Sequence, residues 1–125
     1  MQLSTSIKGT NNIEKWLTSK AKGSASDRSF LDSCGRKGVA ALSANTPKRS
    51  GTVAYSWNYH LSRTSKGWTL QWYNSAYPEL SVNVAVLIQY GHGTKNGGYV
   101  PGRDYINPAM KPILNEISNH FMKGD

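Results

Sequence analysis

His92 lies between Gly91 and Gly93, with Arg103 and Asp104 at the far end of the same glycine-rich stretch. Of all the side chains in this sequence, these are the best suited to chemistry. An imidazole can move a proton while neighbouring cations hold an anion, so the set suits phosphate or phosphodiester reactions. The other titratable residues give it little support. His60 falls in an expected strand, His120 in an expected C-terminal helix, and the seven acids include no spaced pair suited to Mg²⁺. A histidine between glycines also fits a turn that tolerates unusual backbone angles. Gly91 to Gly98 lacks both the Gly-Lys-Ser/Thr ending of a phosphate cradle and a helix directly after it. The expectation is therefore no catalytic residue, no cofactor and no metal.

Composition narrows the classes further. A chain of 125 residues, 38% of them hydrophobic and including four Trp and seven Tyr, supports one modest core and a single domain over 1–125. There is no run of about 18 apolar residues and no basic region followed by an apolar stretch at the start, so neither a membrane span nor a secretory leader is expected. The single cysteine, Cys34, excludes an internal disulfide and a multi-cysteine zinc cluster. Its spacing from Phe30, Leu31, Ala41 and Leu42 makes it a buried small side chain. Fifteen Lys and Arg against seven acids give a net charge of +8, which favours an acidic partner, either nucleic acid or an anionic protein surface. The cations are scattered rather than blocked, so no dedicated DNA-binding arm is written here.

The elements that would position these residues follow from periodicity. Residues 1–10 are polar and expected to be flexible. Asn11 or Asn12 caps a short helix ending near Gly23, with Ile13, Trp16 and Leu17 on one face. A longer helix over about 28–45 carries Phe30, Leu31, Cys34, Ala41 and Leu42. Within it, Gly35 and Gly38 each cost about 1 kcal/mol relative to Ala unless something packs closely on that face. Asn45-Thr46-Pro47 stops the helix, and Lys48 to Gly51 reads as an exposed turn.

Trp57, Tyr59 and Leu61, then Trp68, Leu70 and Trp72, alternate with polar residues around Thr64-Ser65-Lys66-Gly67. This predicts an antiparallel hairpin over 57–73 with one aromatic face buried. The same aromatics near Arg63 and Lys66 resemble a base-stacking platform, but their shared face assigns Trp57, Tyr59, Trp68 and Trp72 to the core. Tyr73, Tyr99 and Tyr105 are freer to form a contact surface. Val82 to Tyr90 alternates like a strand, although so short an apolar run also fits a buried helix. Gly91 to Arg103, with five glycines and Pro101, reads as a long loop of the kind that is functional or disordered. Asn107-Pro108 then opens a helix to about 122 with Met110, Ile113, Leu114, Ile117 and Phe121 at core spacing.

Three short motifs occur in order: Thr46-Pro47-Lys48-Arg49-Ser50-Gly51, Gln89-Tyr90-Gly91 with Thr94 nearby, and Asn107-Pro108-Ala109-Met110. Their order and spacing, over roughly Arg28 to the C-terminus, resemble the head-to-tail joining and tail-completion proteins of long-tailed double-stranded-DNA bacteriophages. That family often carries an acid where Gln89 stands and an Asp where Arg49 stands. The resemblance implies an α+β fold, with a small antiparallel sheet centred on the 57–73 hairpin and packed against two or three helices. It also implies that the 82–90 segment is helical. By the same resemblance the chain is a structural protein of the virion, made in the host cytoplasm. It would assemble as a homo-oligomeric ring of six at the head-tail junction.

Neck or connector proteins and the tail tube protein would be its neighbours, with DNA passing through the channel without sequence-specific binding. Such a role needs no active site. The candidate contacts are Thr46, Pro47, Lys48, Arg49 and Gly51 in the turn. In and beside the glycine-rich loop they are Tyr90, Gly91, His92, Thr94, Lys95, Tyr99, Arg103 and Tyr105. The rival readings are a basic nucleic-acid-binding module and, behind it, a small phosphodiester-cleaving enzyme.

Overall fold

The computed structural model describes residues 2–7, 12–18, 25–48, 51–64, 67–77, 79, 83–93 and 97–122. In chain order the elements are β1 (Gln2–Ile7), β2 (Asn12–Thr18), α1 (Ala25–Asn45), α2 (Gly51–Ala54), β3 (Trp57–Thr64), β4 (Gly67–Asn74), α3 (Val84–Tyr90), β5 (Gly91–Gly93), β6 (Tyr99–Pro101) and α4 (Ile106–Met122). The first four strands form one antiparallel sheet in the order β1-β2-β4-β3, and β5 and β6 form a separate two-stranded ribbon. The fold is α+β, with α1 and α4 as its long helices.

The aromatic hairpin is as the alternation predicts. Tyr59 lies opposite Trp72, Leu61 opposite Leu70 and Arg63 opposite Trp68, which puts one residue set on one face of the sheet. Trp57, Trp68, Leu70 and Trp72 are buried, and the Arg63 guanidinium sits over the Trp68 ring at 5.4 Å. Helix α1 packs on this face of β3 and β4, and α4 packs on α1.

Gly35 and Gly38 are the notch that lets α1 approach. A Cβ at Gly35 would stand 2.3 Å from the Tyr59 ring, and one at Gly38 would stand 2.2 Å from Trp72 Nε1. The Trp72 indole donates to the Gly35 carbonyl at 3.0 Å, and the Tyr59 hydroxyl donates to Asp32 at 2.6 Å. The two glycines therefore reflect close packing by side chains of the sheet. On the other flank of α1, Lys37 pairs with Glu116 at 2.8 Å, and His120 stacks on Phe30 at 3.7 Å while contacting Asp27. Met110, Ile113 and Ile117 of α4 are buried, as their spacing predicts. Pro112 lies within α4 on its exposed side.

Three expectations change. Residues 12–18 form β2, not a helix. Ile13 and Leu17, four apart, share a face in a strand as well as in a helix, and Trp16, which shares it only in a helix, stands opposite Thr69 at a position of the other face. Pairing with β4, which sets Ile13 opposite Trp72 and Leu17 opposite Trp68, decides it. Residues 2–7, expected to be a flexible lead-in, pair with β2 as β1. Residues 84–90 are helical, as the family resemblance implies and against the strand alternation. Asn83 caps this helix, its side chain accepting from the Val86 N–H.

The core sets two measurable properties. Burial, aided by the Glu116 charge, pushes the Cys34 thiol up from 9.0 to about 11. Donation to Asp32 raises Tyr59, and burial raises Tyr105. Each raised group favours its neutral form in the folded state. Its contribution is complete below the unfolded pKa and is lost as pH rises through the folded one. The urea midpoint is therefore expected to hold to about pH 9 and to fall from there through about pH 11, less steeply in Cys34→Ala. A midpoint flat across that window would contradict the burial of these groups.

Gly38→Ala is expected to lower stability by about 1–2 kcal/mol, because overpacking against Trp72 outweighs the helix-propensity gain of about 1 kcal/mol. At Gly51 an added Cβ meets nothing within 4 Å, so Gly51→Ala should stay close to neutral in the same denaturation series.

Candidate docking surface

The two segments singled out by the sequence motifs meet at one end of α1. Pro47 bars a helical conformation at Thr46, and the last carbonyls of α1 are taken up locally. Asn45 Nδ2 donates to the Ala41 carbonyl at 2.8 Å, and the Thr46 N–H and hydroxyl both donate to the Leu42 carbonyl, at 3.0 and 2.6 Å. The Thr46 oxygen in turn accepts from the Trp57 indole at 3.0 Å. Thr46 is buried, which corrects its place among the contact residues: its side chain locks the chain reversal into the core. Pro47 is half-buried and Lys48 exposed. With Ala44, Asn45 and Arg103 they line a depression of about 450 Å³ on the surface, so Lys48 and Arg103 place two cations around one hollow.

The glycine-rich stretch is more ordered than a loop. Gly91 and Gly93 of β5 pair with Pro101 and Tyr99 of β6, and His92 lies opposite Val100. This ribbon leaves the C-terminal end of α3 through Gly91, whose φ of 81° favours glycine. Space imposes a second constraint there. A Cβ on Gly91 would lie 2.6 Å from Gly102 N, and one on Gly102 would lie 2.5 Å from the Tyr90 carbonyl carbon. The Arg103 N–H donates to the Ile88 carbonyl at 2.9 Å, and the Tyr99 hydroxyl donates to the Tyr90 carbonyl at 3.2 Å. Two strands of backbone therefore touch at the root of the ribbon, and its stem is fixed.

Gln89 holds that root to α4. It is buried; its Oε1 accepts from the Tyr105 and Ile106 N–H groups at 3.0 and 2.9 Å, and its Nε2 donates to Asp104 at 2.7 Å. Asn107 donates to the same Asp104 oxygen at 3.0 Å. A side-chain amide can accept from the first N–H groups of a helix through its oxygen while donating to a carboxylate through its nitrogen. An acid at this position would face Asp104 with a like charge. This accounts physically for Gln89 standing where the resembled family often has an acid.

The network also resolves two expectations. Tyr105 is buried, and its hydroxyl donates to the Ala85 carbonyl at 2.7 Å, so it belongs to the core and not to a contact surface. α4 begins at Ile106, so Asn107 is inside its first turn instead of capping it.

Beside the cations Lys48 and Arg103, large apolar side chains remain exposed. Tyr90 is 55% exposed, Tyr99 65% and Val100 45%, and Pro101 and Arg103 are exposed beside them. Val100 was not among the predicted contacts. The signal for it is Tyr99-Val100-Pro101, three apolar residues in succession inside a glycine-rich stretch. Gly51 opens α2 and does not line the depression. Arg49, Thr94 and Lys95, and the side chain of His92, lie outside the described residues.

The chemical set of His92, Arg103 and Asp104 is only partly placed: Asp104 is engaged by Gln89 and Asn107, and Arg103 borders the depression. Among the described residues no three His, Cys, Asp or Glu side chains gather as metal ligands. No helix among them is long and apolar enough to cross a membrane. No protein family, curated protein or solved structure matches the chain.

Gln89 is the residue on which the ribbon's position rests. Gln89→Met is expected to cost about 2–3 kcal/mol by stripping partners from buried N–H groups and from a carboxylate. Gln89→Glu should cost a similar amount at neutral pH, and part of that cost should disappear toward pH 4, where the paired carboxyls share a proton. A Gln89→Glu variant as stable as the parent at pH 7 would show that the Asp104 contact is not made.

Proposed function

We propose that this chain is a structural protein of a tailed-bacteriophage virion, acting at the head-tail junction as one subunit of a ring between the portal-proximal neck and the tail tube. One observation carries the reading: a ribbon rooted by the Gly91–Gly102 contact presents Tyr99 and Val100 to solvent, beside Tyr90 at the end of α3. Aromatic side chains held out on a fixed stem suit anchors that become buried only on docking. The ordered motifs from Thr46 to Met110 support the same reading, as does the helix at 84–90 where the resembled family has one. On this view the protein works by shape, each ring offering a complementary surface to the next. The net charge of +8 is compatible with DNA passing close by.

The Lys48 and Arg103 hollow favours a second reading, a basic module that binds nucleic acid through phosphate contacts. The two differ in salt response and in location. Duplex affinity that falls steeply with salt, in a protein absent from purified particles, would favour the module.

Tyr90→Asp and Val100→Asp alter exposed positions and should leave a folded protein with unchanged circular dichroism. Each is expected to weaken docking about thirtyfold, the equivalent of about 2 kcal/mol for an interface anchor. Complementation of a phage lacking the protein should then yield filled heads and free tails, seen by electron microscopy. Normal infectious yield from both variants would overturn the reading.

A further inference from the structure

The sheet of four strands has two free edges, and they are matched. Among the described residues no strand lies beyond β1 on one side or β3 on the other. All neighbours are antiparallel, so with four strands β1 and β3 run in opposite directions. A second copy placed beside the first in the same orientation would therefore set its β1 antiparallel to the first copy's β3. The edges are also comparable in length, six residues against eight. Gln2–Ile7 carries no charge and no proline, and β3 carries no proline and a single charge, Arg63, which is drawn onto the Trp68 ring of its own sheet.

The hydrogen-bonding pattern of β3 fits an open edge. Thr64 and Gly67 pair across a two-residue connection, so ladder bonds to β4 fall at Thr64, Ser62, His60 and Asn58. The peptide groups of Tyr59, Leu61 and Arg63 then point away from β4. Tyr59 behaves accordingly, its N–H turning to the side chain of its own neighbour, Asn58, at 2.9 Å.

The two faces agree as well. Register carries the helix-covered face of β4 through Ile13, Lys15 and Leu17 of β2 to Ile7, Thr5 and Leu3 of β1. The opposite face of β1 holds positions Gln2, Ser4 and Ser6, and that of β3 holds Asn58, His60 and Ser62. Joined edge to edge, the positions Leu3, Thr5 and Ile7 would continue the face of Tyr59, Leu61 and Arg63, and the polar positions Gln2, Ser4 and Ser6 would continue that of Asn58, His60 and Ser62. α1 packs on β3 and β4, and among the described residues no helix packs to a comparable extent on β1 or β2. The β1–β2 hairpin thus carries the sheet past its own helical layer, to where a neighbour's α1 would stand above the neighbour's β3.

We infer that copies of this chain associate head to tail by adding β1 of one to β3 of the next, making one sheet continuous between subunits. Such a contact is heterologous and, if the rotation closes, it produces a ring in which no edge is left open. The inference rests on the ring reading above and specifies the interface that reading leaves undefined.

Paired cysteines test it. Ser4→Cys is combined in one chain with Asn58→Cys, His60→Cys or Ser62→Cys, and the buried native Cys34 serves as a silent background. Within one subunit β1 and β3 are three strand spacings apart, about 14 Å, which is too far for a disulfide. Oxidation of the purified protein, alone and with neck and tail components, is expected to give a ladder of covalent oligomers for at least one pair. Thr5→Cys with His60→Cys, on opposite faces, should give none. Rings seen by electron microscopy without cross-links for any matched pair would overturn the β1–β3 contact and leave the virion reading standing. Cross-linked rings from a protein that purified particles lack would do the reverse. Failure to cross-link under every condition, with each variant folded by circular dichroism, would also overturn the interface.

Discussion

The approach of α1 to the sheet is the constraint from which the other contacts follow. A helix of 21 residues reaches side-chain van der Waals range of Tyr59 and Trp72 only because positions 35 and 38 carry no Cβ. That proximity lets the Trp72 indole reach a main-chain carbonyl inside α1, where it adds to the bonds of the helix. With α1 set at this depth, Leu31, Cys34 and Leu42 close over the hairpin. Its far flank then meets α4 through the Lys37–Glu116 pair and the Phe30–His120 stack. These flank contacts are largely exposed, and exposed ion pairs contribute little to stability. Their effect is to fix the register of two helices whose attachment comes from buried apolar area.

The candidate docking surface inherits its geometry from this frame. α1 ends where Thr46 bonds to Trp57, so the turn at 46–48 is placed by the sheet. α4 starts where Gln89 and Tyr105 tie it to α3, so the ribbon is placed by the two helices. The exposed aromatics Tyr90 and Tyr99 thus stand on two anchored elements, α3 and β6, and not on a free loop. A surface of this kind loses little conformational entropy on binding, which leaves more of its contact energy available for affinity.

How much was legible in the sequence depended on which periodicities exclude each other. Trp57 to Trp72 alternate with polar residues over two runs, a pattern with no helical counterpart, and the hairpin was read correctly. Met110 to Phe121 follow a helical spacing that no strand shares, and α4 was read correctly apart from its first turn. Ile13 and Leu17 lie at a separation common to both periods. The identity of β2 was settled instead by its pairing with β4, a long-range contact that a local window does not contain. At 84–90 the apolar run is too short for alternation to discriminate, and only Ala85 and Gln89, four apart, are buried; the family resemblance supplied the helix. Gly91 to Gly102 read as a loop because glycine signals freedom of backbone angle. Here it also marks two backbones in contact, and composition does not distinguish the two uses. The motif reading of Thr46 and the place of Tyr105 beside the glycine-rich stretch point to the surface, yet each hydroxyl has a main-chain carbonyl as its partner in the interior.

The two glycine pairs differ in how sequence change can act on them. At 35 and 38 the obstructing atoms are side chains, so a larger residue in the helix can be accommodated by a smaller one at 59 or 72, and the positions are free to drift together. At 91 and 102 each obstructs the other with main chain, which no second substitution removes. Divergence should therefore reshape the interior of this protein more readily than the neck of its ribbon. The side chains of Tyr99 and Val100, exposed on the ribbon, carry no such mutual constraint.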